Sequence, residues 1–434
     1  MNFARTSVAN LQNFNFRNLS SASTRTPTKT PEQKTGEIHM ANLKKNNDMA
    51  VSPIVATLVL IVVAVIGAVA VGTIMGTFSS DVSKQASSAQ AGAAAQSEIL
   101  IAGSTTLIPA ELNLQNDFVR SNPGNQINVQ GGGSSEGPQS VALGIADIGA
   151  VSSGGSITTA QNANANDPIY QNLYFTQIGG RGVVFIQSAD AKNVSGNALK
   201  TDFVTAAEVK AAYENVVSDG TYIAGSGNFS GWAGNNVTME QREAGSGTMS
   251  TAFNWAGLTT SEQANGVANA PINNGNAQML AAVQAGTVSK PAFGFVDSGY
   301  AITGGVSSNT TASGIAVVGL ATSTGTYIPT HANIKEALHD WYNGNAQDTT
   351  VISATATTVP PYTSVGLNYP QKLVGGLYWI TKGSSPSAFT GNKVTTVGTS
   401  SASSVVTSLI NFAKSPGEAA AFNNAGMYSM YDFM

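Results

Sequence analysis

The chain has 434 residues, with 20 Lys+Arg against 24 Asp+Glu, three histidines and no cysteine. The missing thiol excludes a disulfide framework, a thiolate metal site, a cysteine nucleophile and a lipoprotein-type anchor, and three histidines leave little room for imidazole metal chemistry. Residues 1–49 carry seven Lys/Arg against three Asp/Glu and residues 50–434 thirteen against twenty-one, so the body is acidic and nucleic acid is not an expected partner.

Residues 1–39 are rich in Ser, Thr and Asn without apolar periodicity, and Met40 begins a leader of more usual length. Either the first 39 residues are a disordered extension or the chain starts at Met40. No charge falls between Met49 and Ser80, and the 29 residues Ala50–Phe78 are apolar on every side. As a helix they rise roughly 43 Å, enough to cross a bilayer core of about 30 Å. Lys44 and Lys45 precede this run and an acidic body follows it, which predicts a cytoplasmic amino terminus, a single span in the cell membrane and an extracellular body. The expected organisation is a leader over 1–49, a transmembrane helix over 50–78 and a linker over 79–97.

The remaining 337 residues exceed what one core usually supports, so two lobes are expected. Strand patterns at Ile99–Gly103 and Gln126–Gln130 flank a helical spacing over Pro109–Val119, the opening of a parallel α/β sheet. A short helix at Val141–Gly144 and a strand at Ala146–Val151 follow. Further on, Gly182–Ile186 and Ala292–Val296 read as strands, and Thr205–Tyr213 and Ser261–Ala264 as helices. The chain closes with a strand at Gly376–Thr381 and a helix over Ser401–Ala413. A crossover near Gly182 and a return after Tyr300 divide the body into a first part of lobe one (98–182), lobe two (183–310) and a second part of lobe one (311–434). Four N-x-S/T triplets, at Asn193, Asn228, Asn236 and Asn309, are consistent with an extracellular body.

Three Ser/Thr/Gly clusters each follow an apolar run and precede a helical pattern: Gly103–Thr106, Gly131–Gly137 and Arg242–Thr248. Glycines let successive N–H groups converge, hydroxyls add uncharged donors, and a helix N-terminus adds about half a positive charge. Singly, each is ordinary turn chemistry; three of them with one arginine describe an oxyanion site.

Two resemblances attach to these motifs. Lys44–Pro53 with the apolar run behind it resembles the class III, prepilin-type signal of archaeal pilins and binding proteins, which implies cleavage near Asp48–Ala50 by a prepilin-type peptidase. The segments IAGSTTLIPAELNLQNDF, INVQGGGSSEGPQSVALGIADIGAVSS and REAGSGTMSTAFNW, with PAFGFV and the carboxyl-terminal stretch, resemble the phosphate-binding proteins of ABC importers. That resemblance implies an α/β, two-lobed type II periplasmic-binding-protein fold with a hinge, inorganic phosphate as ligand and an ABC permease as partner, with no catalysis, cofactor or metal. By position it implies ligand contacts from Thr105, Thr106, Ser134, Ser135, Ser152, Arg242, Ser246, Gly247 and Thr248.

The sequence departs from the family twice. Ser152 stands where many members have the aspartate that accepts the proton of hydrogen phosphate, leaving Glu136 and Glu243 as the nearest candidate acceptors. Ala244 stands where members often have an acid beside the arginine, which leaves the orientation of Arg242 open. A general oxyanion binder for sulfate or molybdate, or a pilin-like adhesin, are the alternatives. A serine hydrolase is the weakest one, built on Gly133-Ser134-Ser135-Glu136-Gly137 as a nucleophile elbow with His331 or His339 as base. Arg120 and Arg181 read as surface charges, His331 and His339 as exposed helix residues, and Trp232, Trp255, Trp341 and Trp379 as core.

Overall fold

The computed structural model describes residues 97–189, 203–223, 236–287, 289–322, 325–346, 369–395 and 398–434. The leader, the apolar run 50–78 and the linker as far as residue 96 lie outside the described residues. Among the described residues no helix is long and apolar enough to cross a membrane. Contacts divide the chain into Met1–Lys84 and Gln85–Met434, and every described residue belongs to the second unit.

The fold is mixed α/β. Strand β1 (Ser97–Gly103) runs parallel to β2 (Asn125–Gly131) through helix α1 (Ile108–Ser121), and on its other side parallel to β3 (Ile148–Val151), reached through α2 (Glu136–Ala142). This is right for a chain whose strands alternate with amphipathic helices, since parallel neighbours need a crossover. After α3 (Gly154–Ala163) comes β4, fifteen residues from Tyr174 to Ser188 and buried along nearly all its length. Its first half, to Gly182, pairs antiparallel with β10 (Val374–Thr381), which also borders β3. Its second half pairs antiparallel with β8 (Ala292–Asp297) and with β9 (Ile315–Thr322). Beyond β8 lie β6 (Asn236–Met239), parallel to it, and β5 (Thr221–Ile223). One strand thus serves two sheet halves, changing partners between Gly182 and Val183.

Each half has its own core. Ile99, Phe118, Trp379 and Leu409, the last from α9 (Ser404–Ala413), pack together on the first. Phe185, Phe253, Phe295 and Leu338 pack on the second. Trp255 is buried in the second core and Trp341 packs against it; Trp232 lies outside the described residues.

Two elements differ from the sequence expectation. The helix expected at Val141–Gly144 begins at Glu136, because Pro138 falls in the first turn, where a missing N–H costs no hydrogen bond. The strand expected at Gly182–Ile186 begins eight residues earlier, running through Gly179-Gly180-Arg181-Gly182, which reads as a break. These glycines serve packing: a Cβ on Gly182 would lie 2.4 Å from Ile334 Cγ2, so helix α8 (His331–Asn343) lies directly on the strand. Other helices include α4 (Ala206–Glu214), α5 (Gly247–Ala256), α6 (Thr260–Asn265) and α7 (Asn276–Gln284).

His331 is buried, against expectation. Its Nδ1 pairs with the Tyr428 hydroxyl at 2.7 Å and its Nε2 faces the Ile302 carbonyl at 3.3 Å. Burial holds its pKa below the ordinary histidine value. His339, on the outer side of α8, is half-exposed, and Arg120 sits at the surface beside Asp117.

Candidate functional site

The three loops converge. The first leaves β1 at Gly103, whose carbonyl accepts the amides of Gly132 and Gly133 at 2.7 and 3.0 Å, stitching the first loop to the second. Ser104 donates its amide to the Ala150 carbonyl at the end of β3. The second loop meets the third where the Ser135 amide donates to Gly245 O at 3.2 Å. Gly245 adopts φ +77°, and a Cβ there would lie 2.0 Å from Ser135 Oγ, so only glycine fits.

Helix α5 starts at Gly247 behind the cap Ser246, whose Oγ accepts the Met249 amide at 3.3 Å. The amides of Gly247 and Thr248, in its first turn, have no intrahelical acceptor. A Cβ on Gly247 would meet Ser134 Oγ at 2.7 Å and Ser152 Oγ at 2.8 Å. The α5 N-terminus therefore faces the hydroxyls of the second loop and of the β3 end. Ser134 and Ser152 are buried; their hydroxyls lie 3.0 Å apart, and Ser134 Oγ also accepts the Ser152 amide at 3.1 Å. Two hydroxyl protons with one spent between them leave one to donate outward.

Arg242 ends the short strand β7 (Gln241–Arg242), with a residue exposure of only 2 %. Its Nε and Nη2 bind the two carboxylate oxygens of Glu243 at 2.8 and 2.7 Å, and Nη2 also donates to Thr105 Oγ1 at 2.9 Å. Its Nη1 is buried and has no partner among the described residues. A guanidinium nitrogen left unsatisfied out of water costs free energy that a ligand acceptor would recover. Glu243 supplies the orienting acid that Ala244 could not. Burial alone would raise the Glu243 pKa, but hydrogen bonds from Arg242, its charge and the Gly275 amide at 3.0 Å hold it below the usual glutamate value.

The two carboxylates expected as proton acceptors are otherwise occupied. Glu243 is committed to Arg242. Glu136 is exposed and its carboxylate lies over Gly132, where a Cβ would clash with it. Ser135 is also exposed, its side chain against Gly245. Neither ring nitrogen of His331 is bonded to a serine.

The structure adds two charged residues that sequence reasoning missed. Asp297, the last residue of β8, is 1 % exposed and accepts at Oδ2 from Thr106 Oγ1 (2.7 Å), Thr248 Oγ1 (2.6 Å) and Asn276 Nδ2 (2.8 Å). Arg181, expected at the surface, is 1 % exposed. It donates to Ser152 O (2.6 Å), Asp297 Oδ1 (3.1 Å), Gly247 O (3.1 Å) and Thr251 Oγ1 (2.8 Å). Burial lowers its pKa and Asp297 opposes that. Its position mid-strand, where β4 changes partners, brings it inside and lets it tie β3, α5 and β8 together. Each had a signal: a lone charge in a fifteen-residue apolar strand, and an acid at the carboxyl end of an all-buried one, the usual place for function in an α/β sheet. A cavity of about 700 Å³ adjoins the site on the side of Ser152, Arg181 and Thr251.

No family model matches the sequence, and no curated protein matches it. Among solved structures, the chain is similar to an ABC-type phosphate transport receptor from Vibrio cholerae at 18 % identity, covering 76 % of this chain and 99 % of that one with a TM-score of 0.46. PstS from Borrelia burgdorferi aligns at 15 % identity over 77 % and 98 %, TM-score 0.38. The Synechocystis CcmR regulatory domain in complex with 2-PG aligns at 10 % identity over 74 % and 99 %, TM-score 0.36. Likeness of this degree fixes neither ligand nor activity.

Proposed function

We propose that this chain is a membrane-anchored, extracellular solute-binding protein of the two-lobed type II periplasmic-binding class, which captures inorganic phosphate and delivers it to an ABC permease. The observation that carries the reading is the unpartnered, buried Nη1 of Arg242 among converging neutral donors. In an acidic body the long-range field opposes an anion, so affinity has to come from local groups: one guanidinium, the first amides of α5, and the hydroxyls of Ser134, Ser152 and Ser246. Thr105 orients the arginine by accepting from it. Gly247 gives the anion backbone access without a side chain. The apolar run 50–78 suits a receptor held at the cell surface, its leader removed by a prepilin-type peptidase.

Because the second and third loops touch directly, ligand entry requires the two sheet halves to separate, with β4 as the shared strand about which they move. The test is calorimetric titration of the full chain in detergent micelles with phosphate at pH 7. Saturable 1:1 binding is expected; no heat at any phosphate concentration up to the millimolar range would return the chain to the adhesin reading.

A further inference from the structure

The hydrogen-bond arithmetic around Asp297 points to how the site chooses its anion. Thr106 and Thr248 have one hydroxyl proton each, and both protons go to Asp297 Oδ2, at 2.7 and 2.6 Å. None remains for the 3.2 Å contact between the two hydroxyls. Asn276 Nδ2 donates into the same cluster, to Asp297 Oδ2 at 2.8 Å with Thr106 Oγ1 beside it at 3.2 Å. Its own carbonyl accepts the Asp297 amide at 3.1 Å, which fixes the amide's orientation. Arg181 holds the other carboxylate oxygen at 3.1 Å, so the carboxylate cannot turn away. All of these groups are buried.

Toward any ligand, then, the two threonines present lone pairs and no protons. Residues that read as donors by type are converted into acceptors by a carboxylate behind them. We propose that Asp297, acting through the hydroxyls of Thr106 and Thr248, makes this site select tetrahedral oxyanions that keep a proton at neutral pH, phosphate and arsenate, over those that do not, sulfate and molybdate. An anion bearing a P–OH or As–OH group donates to this acceptor pair while its bare oxygens take Arg242 Nη1, the α5 amides and the serine hydroxyls. A fully deprotonated anion sets an oxygen against threonine lone pairs with no proton between them, and that repulsion is the discrimination. The acceptor function assigned by family position to residue 152 is thereby moved to β8 in the other sheet half, and Ser152 is free to be a serine.

This inference rests on the phosphate-capture reading, and the experiment separates the two. The full chain is titrated with phosphate, arsenate and sulfate. The unmodified chain is expected to bind the first two and to ignore sulfate at 100-fold excess. In Asp297→Asn the amide can donate to the threonines and turn their protons toward the ligand, so the phosphate-over-sulfate ratio is expected to fall at least tenfold. Thr248→Val, which leaves the carboxylate and its arginine in place, is expected to weaken phosphate at least tenfold and to weaken sulfate not at all, and it decides the matter if Asp297→Asn does not fold. Sulfate competing on equal terms in the unmodified chain overturns the inference. So does full discrimination retained by folded Asp297→Asn, or phosphate affinity untouched in Thr248→Val. Absence of phosphate binding in the unmodified chain overturns the capture reading along with it.

Discussion

Arg242→Ala is expected to weaken phosphate binding by roughly 30- to 1,000-fold, about 2–4 kcal/mol. The loss has two parts: a charge-assisted donor to the anion disappears, and Thr105 and Glu243 lose the group that orders them. Glu243 is left with the Gly275 amide and some exposure to water, so the fold itself loses less than the ligand does. Arg242→Lys is expected to behave nearly as badly. A single ammonium cannot hold both oxygens of Glu243 and still turn a free donor to the anion, whereas the planar fork does both. Calorimetry on the unmodified chain and the two variants reads the effect; affinities within threefold of one another would remove Arg242 from the site.

Glu111→Gln is expected to flatten the pH dependence of stability and to raise the unfolding temperature at pH 8. Glu111 sits on the buried side of α1, which begins just after the first loop, and its Oε1 accepts the Trp379 indole N–H at 2.7 Å while Oε2 has no partner among the described residues. Burial pushes this carboxyl from its ordinary 4.5 up to about 8, the indole pulling weakly the other way. Between those pH values the folded chain keeps a proton that the unfolded chain has released. Stability from this group is therefore complete below about pH 4.5, falls as pH rises and levels off above about pH 8, a total of roughly 3–5 kcal/mol. Glutamine keeps the acceptor for Trp379 and removes the titration. Thermal melts of both chains from pH 5 to pH 8 measure it, and parallel curves would contradict it.

The loops at the ends of β1 and β2 stand out in the sequence because glycine clusters there follow apolar strands and precede helical spacing, and because a third such cluster carries an arginine. Arg242 with Ser246, Gly247 and Thr248 was legible for the same reason, and the structure brings these residues within reach of Thr105, Ser134 and Ser152. What the sequence hid is long-range. Arg181 looked like an isolated surface charge because its partner, Asp297, lies 116 positions away. Asn276, 21 positions before Asp297, carries no motif that singles it out. The conversion of Thr106 and Thr248 from donors to acceptors is invisible to residue type, since a hydroxyl can do either and only its buried neighbour decides. The missed half of β4 has a local cause: Gly179 and Gly180 interrupt the apolar pattern, yet they sit where Phe422, Leu338 and Phe433 press on the strand.

In the proposed function an anion completes Arg242. A crystal structure of the full chain grown with phosphate tests it most directly. The expected result is a tetrahedral anion with one oxygen within hydrogen-bond distance of Arg242 Nη1, another at the Gly247 and Thr248 amides, and its protonated oxygen toward Thr106 and Thr248. An anion bound elsewhere, with Arg242 Nη1 still lacking an acceptor, would contradict it.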